Sequence, residues 1–255
     1  MKILIVDDYE KMSRKAAQIV GGQVALRPES VIGLATGGTV LGMYRHLSRL
    51  HVEDDLDFTR ITTFNLDEYY PIRPDHPNSY ARFMQENFFS HIAISPDQTH
   101  IPNGRAGDVH IECQRYEDSI QSAGGIDLQV LGIGRNGHIG FNEPDLTFEA
   151  GTHRVTLDDQ TIRDNARFFE SEADVPRQAI SMGIRTIMNA RKIVILASGS
   201  EKSDAVHRMI YGKITPSLPA SVLQLHPDVT LVVDKDAAQA IETATEAHCK
   251  EATCV

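Results

Sequence analysis

Val31-Ile32-Gly33-Leu34-Ala35-Thr36-Gly37-Gly38-Thr39 is a short apolar run, cut by a glycine pair and followed by a helical pattern to about Leu50. That order reads as a buried strand turning into a helix. The same alternation extends outward on both sides. Lys2–Val6 reads as a strand before a helix through Met12–Val20 that is expected to stop at Gly21-Gly22. Ile61–Asn65, Asp127–Gly132, Lys192–Ala197 and Val229–Val233 read as further strands. Helices are expected over Ser79–Phe89, Val109–Ser122, Lys202–Met209 and Ala237–Ala247. Asn142–Thr161 lacks a clear period and is expected to be a long loop over the sheet edge, a candidate lid. Strands alternating with helices predict an α/β fold with a mostly parallel central sheet flanked by helices. No low-complexity linker, repeat or composition shift divides residues 1–255, so a single domain is expected.

The totals narrow the function. A chain of 255 residues buries roughly three quarters of its extended-chain surface, ample for one core. A formal charge of −10 speaks against nucleic acid, whose phosphates need a basic face. A small anionic substrate stays open, because a local pocket can be positive on an acidic protein. Cys113, Cys249 and Cys254 have no metal-ligand spacing, and so sparse a set fits a reduced, cytoplasmic compartment. The opening MKILIVDDYEKM is too short an apolar run for a signal peptide, and no stretch reaches the roughly 20 apolar residues of a membrane span.

In an open parallel sheet, ligands bind beyond the carboxyl ends of the strands. Three junctions there are unusual. Thr36-Gly37-Gly38-Thr39 offers backbone N–H groups, two hydroxyls and a helix start to one anion, though a plain tight turn capped by Thr39 reads equally well. It has neither the lysine of a P-loop nor the spacing of a dinucleotide fingerprint. Asn65-Leu66-Asp67-Glu68-Tyr69 puts two carboxylates at a buried strand end. One can face a cleft as a base while the other caps the next element; a solvated turn is the alternative. Gly132-Ile133-Gly134-Arg135-Asn136-Gly137-His138-Ile139-Gly140-Phe141-Asn142-Glu143-Pro144 is the densest. His138 can transfer protons near neutral pH, and Glu143 can orient it. Lys202, at a helix start where a cation is disfavoured, points to an anion nearby. Arg167 among aromatics reads either as a snorkelling surface residue or as part of the same clamp.

GLATGGT, TTFNLDEYY, DHPNSYARFM, LGIGRNGHIGFNEP, NARFF, ASGSEK and PASVLQLHPDV occur in the order and spacing of the glucosamine-6-phosphate deaminases, which the chain resembles from about residue 1 to residue 235. The resemblance implies a modified Rossmann-like fold and conversion of glucosamine 6-phosphate and water to fructose 6-phosphate and ammonia, a hydrolytic loss of a C–N-bound amine in amino-sugar breakdown. It implies no metal and no cofactor. By motif position, Asp67 resembles the base that moves a proton between C2 and C1. His138, supported by Glu143 and Asn136, resembles the group that opens the sugar ring. Thr36, Gly37, Gly38, Thr39, Arg167 and Lys202 match the phosphate site. Asn136 stands where some relatives carry Asp. In the stretch His153-Arg154-Val155 only Arg154 is firmly basic, and the tail lacks the tyrosine of allosterically regulated members. The resemblance therefore implies a monomer with little response to N-acetylglucosamine 6-phosphate.

Three rivals are weaker. A 6-phosphogluconolactonase shares a similar Gly-x-Gly-x-x-Gly-His loop but has no carboxylate after it where Glu143 stands. A phosphorylation-receiver reading of Asp7-Asp8 leaves half the chain unexplained, whereas a helix cap accounts for the pair. A sugar-phosphate sensor would carry a DNA-binding extension and would not need Asp67, His138 and Glu143.

Overall fold

The computed structural model describes residues 1–166 and 169–241. Its strands and helices follow the order β1 (Lys2–Val6), α1 (Tyr9–Leu26), β2 (Val31–Leu34), α2 (Gly38–Glu53), β3 (Thr62–Asn65), β4 (Asp67–Tyr70), α3 (Tyr80–Asn87), β5 (Thr99–His100) and α4 (Val109–Ser122). There follow β6 (Leu128–Gly132), β7 (His153–Thr156), α5 (Asp159–Asn165), β8 (Gln178–Ser181), α6 (Ile184–Met188), β9 (Ile193–Ala197), α7 (Ser203–Tyr211) and β10 (Val229–Asp234).

The main sheet has seven strands in the order β1-β10-β9-β6-β2-β3-β5. Every pairing in it is parallel. Residues of β2 and β9 are buried throughout, as strands covered on both faces by helices must be. The chain steps toward β3 and β5 after β2, but toward β9 and β10 after β6. The strand order therefore reverses between β2 and β6, where such folds open their ligand crevice.

A second, three-stranded antiparallel sheet, β4-β8-β7, packs beside the first. One residue separates β3 from β4, and it joins the sheets. Leu66 donates its N–H to Leu34 O of the main sheet at 2.9 Å and accepts from Met182 N, just past β8, at 2.8 Å. Asp67 is thus the first residue beyond the seam.

Asp8 caps α1, its carboxylate accepting from Lys11 N at 2.7 Å. That helix does not stop at Gly21-Gly22; it continues to Leu26. Gly21 is buried where α2 crosses, and a Cβ there would lie 3.2 Å from both Leu50 and Leu56 side chains. The glycine serves close helix packing rather than termination. The segment Asn142–Thr161 is likewise more ordered than a loop. It contains β7 and the first turn of α5, and Glu117 of α4 ties it down by accepting from Thr152 N at 2.7 Å and Thr152 Oγ1 at 2.6 Å. The helix expected over Ala237–Ala247 lies within the described residues only as far as Ile241.

Candidate active site

The loops after β2, β3, β6 and β9 converge on one cleft of about 360 Å³ at the carboxyl ends of the main sheet. Thr36, Gly37, Gly38, Thr39, Asp67, His138 and Lys202 all line it. Asn136 and Glu143 stand directly behind His138. Arg167 lies outside the described residues.

On the β2 side, Gly37 sits at φ +99°, a backbone conformation that favours glycine, and caps α2. Thr39 is therefore in the first turn of the helix and is not its cap. Tyr9 braces this turn from α1, donating to Gly38 O at 2.9 Å and accepting from Gly42 N at 2.8 Å. On the β9 side, Gly199 is at φ +93° and a 3₁₀ turn over Ser200–Lys202 leads into α7. Asp234, at the end of neighbouring β10, accepts from Ser198 Oγ at 2.5 Å and Gly199 N at 3.2 Å. Its carboxylate also accepts from Ala237 N at 2.9 Å. Lys202 stands at the N-cap of α7, so its charge and the helix start point to one anion.

Asp67 and Glu68 divide as two adjacent strand residues must, onto opposite faces. The Glu68 carboxylate turns away from the cleft and accepts from Tyr80 N at 2.8 Å and Ala81 N at 2.9 Å, capping α3. Burial pushes its pKa up to about 7 against those bonds. Asp67 faces the cleft with only 6% of its surface exposed. Burial, with the nearby Glu68 charge, pushes its pKa up to about 8. Its carboxyl makes no hydrogen bond to any other described residue, so it is available to a ligand. Gly140, at φ +58°, brings the loop backbone against it: a Cβ there would stand 3.5 Å from Asp67 Oδ2.

His138 lies flat over Gly134, where a Cβ would approach the ring to 2.3–2.6 Å. Its Nδ1 is 3.2 Å from Glu143 Oε2, an ion-pair distance that falls off the line of a formed hydrogen bond. Asn136 donates from Nδ2 to the same Oε2 at 2.9 Å and accepts from His138 N at 3.1 Å. Thr161 donates to Glu143 Oε1 at 2.6 Å. Burial alone would raise the Glu143 pKa, but His138, Thr161 and Asn136 outweigh it and hold the carboxyl down at about 2. Glu143 is therefore a fixed anion behind the imidazole.

Sequence reasoning missed three members of this assembly. Thr161 supports Glu143 from 18 positions along the chain, and Asp234 supports Gly199 from 35. Tyr80, kept protonated by burial, lines the cleft with Thr36 from the start of α3. None belongs to the short motif it serves, so no local signal reveals it. Among the described residues no group of three or more His, Cys, Asp or Glu is arranged to hold a metal ion. No helix among them is long and apolar enough to cross a membrane.

The model of the glucosamine-6-phosphate isomerase/6-phosphogluconolactonase family matches residues 8–232. The chain belongs to this family. A glucosamine-6-phosphate deaminase of Halothermothrix orenii is 55% identical over 238 residues, 93% of this chain and 99% of that one. One of Alkaliphilus metalliredigens is 55% identical over 242 residues, 95% and 100% of the two chains. The solved structure of a monomeric glucosamine-6-phosphate deaminase superposes with a TM-score of 0.92 at 48% identity, covering 94% of this chain and 100% of that one. A 6-phosphogluconolactonase from Trypanosoma cruzi, with a TM-score of 0.73 and 20% identity over 93% of this chain and 96% of its own, shares the family's fold.

Proposed function

We propose that this chain is a glucosamine-6-phosphate deaminase, converting glucosamine 6-phosphate and water to fructose 6-phosphate and ammonia. The observation that carries the reading is the placement of a buried, unbonded carboxyl, Asp67, in one cleft with a His138–Glu143 pair and two anion-compatible turns.

Thr36, Gly37, Gly38, Thr39 and Lys202, with Arg167, bind the substrate phosphate. Anchoring that end holds the ring against His138, and such positioning is worth several kcal/mol of the barrier, up to about 7–11 in the best cases. His138 takes the proton of the C1 hydroxyl and delivers it to the ring oxygen, which opens the ring to the C1 aldehyde. Glu143 stabilises the imidazolium formed in transit, and Asn136 keeps Glu143 and the His138 backbone in register. Asp67 then takes the C2 proton and returns it to C1, while the C2 ammonium gives up one proton and the C1 carbonyl oxygen gains one to become the hydroxyl. The nitrogen at C2 is left as an iminium, which water hydrolyses to the ketone with loss of ammonia.

Asp67 must be ionised to act as this base. Burial opposes that in the empty cleft, but the substrate's own ammonium at C2 brings a positive charge beside it, which favours the ionised form. The base is thus switched on by an amine-bearing substrate. The chain works as a monomer, in keeping with the 48% identical structure that is described as monomeric. It acts in the cytoplasm, with little response to N-acetylglucosamine 6-phosphate.

Incubation with glucosamine 6-phosphate, with ammonia and fructose 6-phosphate assayed together, tests the reading. Equal yields of both support it; absence of both overturns it.

A further inference from the structure

A site that takes a phosphate ester needs cations to meet it. Such an ester carries about −1.5 to −2 charges at pH 7. Among the described residues that line the cleft, the cations are Arg135 and Lys202, whereas Asp67, Asp164 and Glu201 all bring carboxyl groups. Lys202 is on the β9 side. Arg135 is on the loop after β6, and β6 lies in the sheet between β9 and β2. Its loop therefore runs between the turn that carries Lys202 and the turn that carries Thr36–Thr39.

The side chain of Arg135 is loosely held. Its nearest acidic partner is Asp164 of α5, with Nε 3.8 Å from Oδ2, at the long end of ion-pair distance. It donates no hydrogen bond to another described residue, and both partners are well exposed, at 51% and 35%. A pair of that kind contributes little to stability. An exposed loop arginine is ordinarily just solvated. This one differs in standing in the cleft wall between two anion-compatible turns, with a planar fork of donors still unspent.

We infer that Arg135 is a substrate-binding residue, which leaves Asp164 and closes on the substrate's phosphate when the cleft fills. Asp164 then acts as a placeholder that keeps the guanidinium at the cleft mouth while the site is empty. The pair also selects for phosphorylated sugars, since a neutral sugar offers nothing worth the exchange. This inference rests on the sugar-phosphate reading above, so its test begins with a ligand that needs no turnover.

Binding of inorganic phosphate to the resting protein is measured by calorimetry for wild type, Arg135→Gln, Arg135→Lys and Asp164→Asn. Thermal unfolding serves to show that each is folded. Losing a charge-assisted pair should weaken phosphate by about tenfold or more in Arg135→Gln, with Arg135→Lys in between. Removing the competing carboxylate in Asp164→Asn should tighten phosphate by about twofold or more. With glucosamine 6-phosphate as substrate, Arg135→Gln should raise KM by a factor similar to its loss of phosphate affinity, with a much smaller change in kcat.

Unaltered phosphate affinity in Arg135→Gln overturns the role of Arg135, and affinity no tighter in Asp164→Asn overturns the exchange. A wild-type chain that binds no phosphate overturns both, along with the anion pocket. If phosphate binding weakens in Arg135→Gln but the wild type does not turn over glucosamine 6-phosphate, Arg135 keeps its role and the functional reading falls.

Discussion

Asn136 Nδ2 and His138 Nδ1 meet the same oxygen of Glu143, at 2.9 Å and 3.2 Å. An aspartate at position 136 would bring a second negative charge against that oxygen. The amide instead donates to it, and its own oxygen receives the His138 N–H at 3.1 Å. Asn136 thus ties the two ends of the histidine–carboxylate pair together without sharing its charge.

Glu143→Gln keeps the shape of the pair and removes the charge behind the imidazole. The variant should lose about 10²–10⁴ in kcat, the range for a general acid–base step, with KM altered far less. Asn136→Asp should also slow turnover, since two carboxylates then compete for one histidine. Steady-state kinetics of both variants decide it; a Glu143→Gln enzyme with wild-type kcat removes the pair from the chemistry.

The raised pKa of Asp67 makes a prediction about stability. A free aspartate titrates near 3.9, roughly four units below the value of about 8 for Asp67 in the folded chain. The folded state therefore binds the extra proton between those pH values, and stability falls as pH rises through that window. Asp67→Asn lacks this penalty. Its melting temperature should match wild type near pH 4 and exceed it by a margin that grows up to about pH 8, while kcat drops by about three powers of ten. Melting curves at pH 4, 6 and 8 test this; a margin that shrinks with rising pH contradicts the assignment.

The main sheet was readable because parallel strands buried on both faces are short continuous apolar runs, such as Ile193–Ala197. The second sheet was not. Its strands Asp67–Tyr70 and His153–Thr156 are short and carry polar residues, the first largely buried and the second part exposed; both pair antiparallel with β8, and no apolar run marks them. Asp67 could still be singled out, because two acids at the end of a buried strand are hard to explain by packing. That it sits at the seam between two sheets depends on Leu66 bonding to Leu34 and to Met182, partners 32 positions before it and 116 after it. Chain distance hid the supports in the same way: His138, Asn136 and Glu143 share one motif, whereas Thr161 and Asp234 do not. Arg135 was in plain view in that motif, but only the sheet order places its loop between the two anion-compatible turns.

Gly134 is required by the histidine rather than by the backbone. Its φ is not in the left-handed region, yet a Cβ would overlap the His138 ring at 2.3–2.6 Å. Gly134→Ala should therefore fold but push the imidazole out of line with Glu143. Misplacement of a reacting group by about 1 Å can cost roughly 10²-fold, so kcat should fall at least that far while far-ultraviolet circular dichroism stays native. A fully active Gly134→Ala enzyme would show that the ring has room to move.

Asp234 holds the Lys202 turn from behind without lining the cleft. It is 4% exposed and accepts from Ser198 Oγ, Gly199 N and Ala237 N. Asp234→Ala leaves those donors without their acceptor, and a buried donor left unsatisfied costs about 1–3 kcal/mol. The variant should melt several degrees lower, and its loosened turn should raise KM for glucosamine 6-phosphate more than it lowers kcat. Asp234→Asn retains an oxygen acceptor and should recover part of both losses. Lys202→Ala separates the support from the charge it supports: it should raise KM strongly, out of proportion to any change in melting temperature. If Asp234→Ala lowers the melting temperature but leaves KM untouched, the turn it braces does not bind the phosphate.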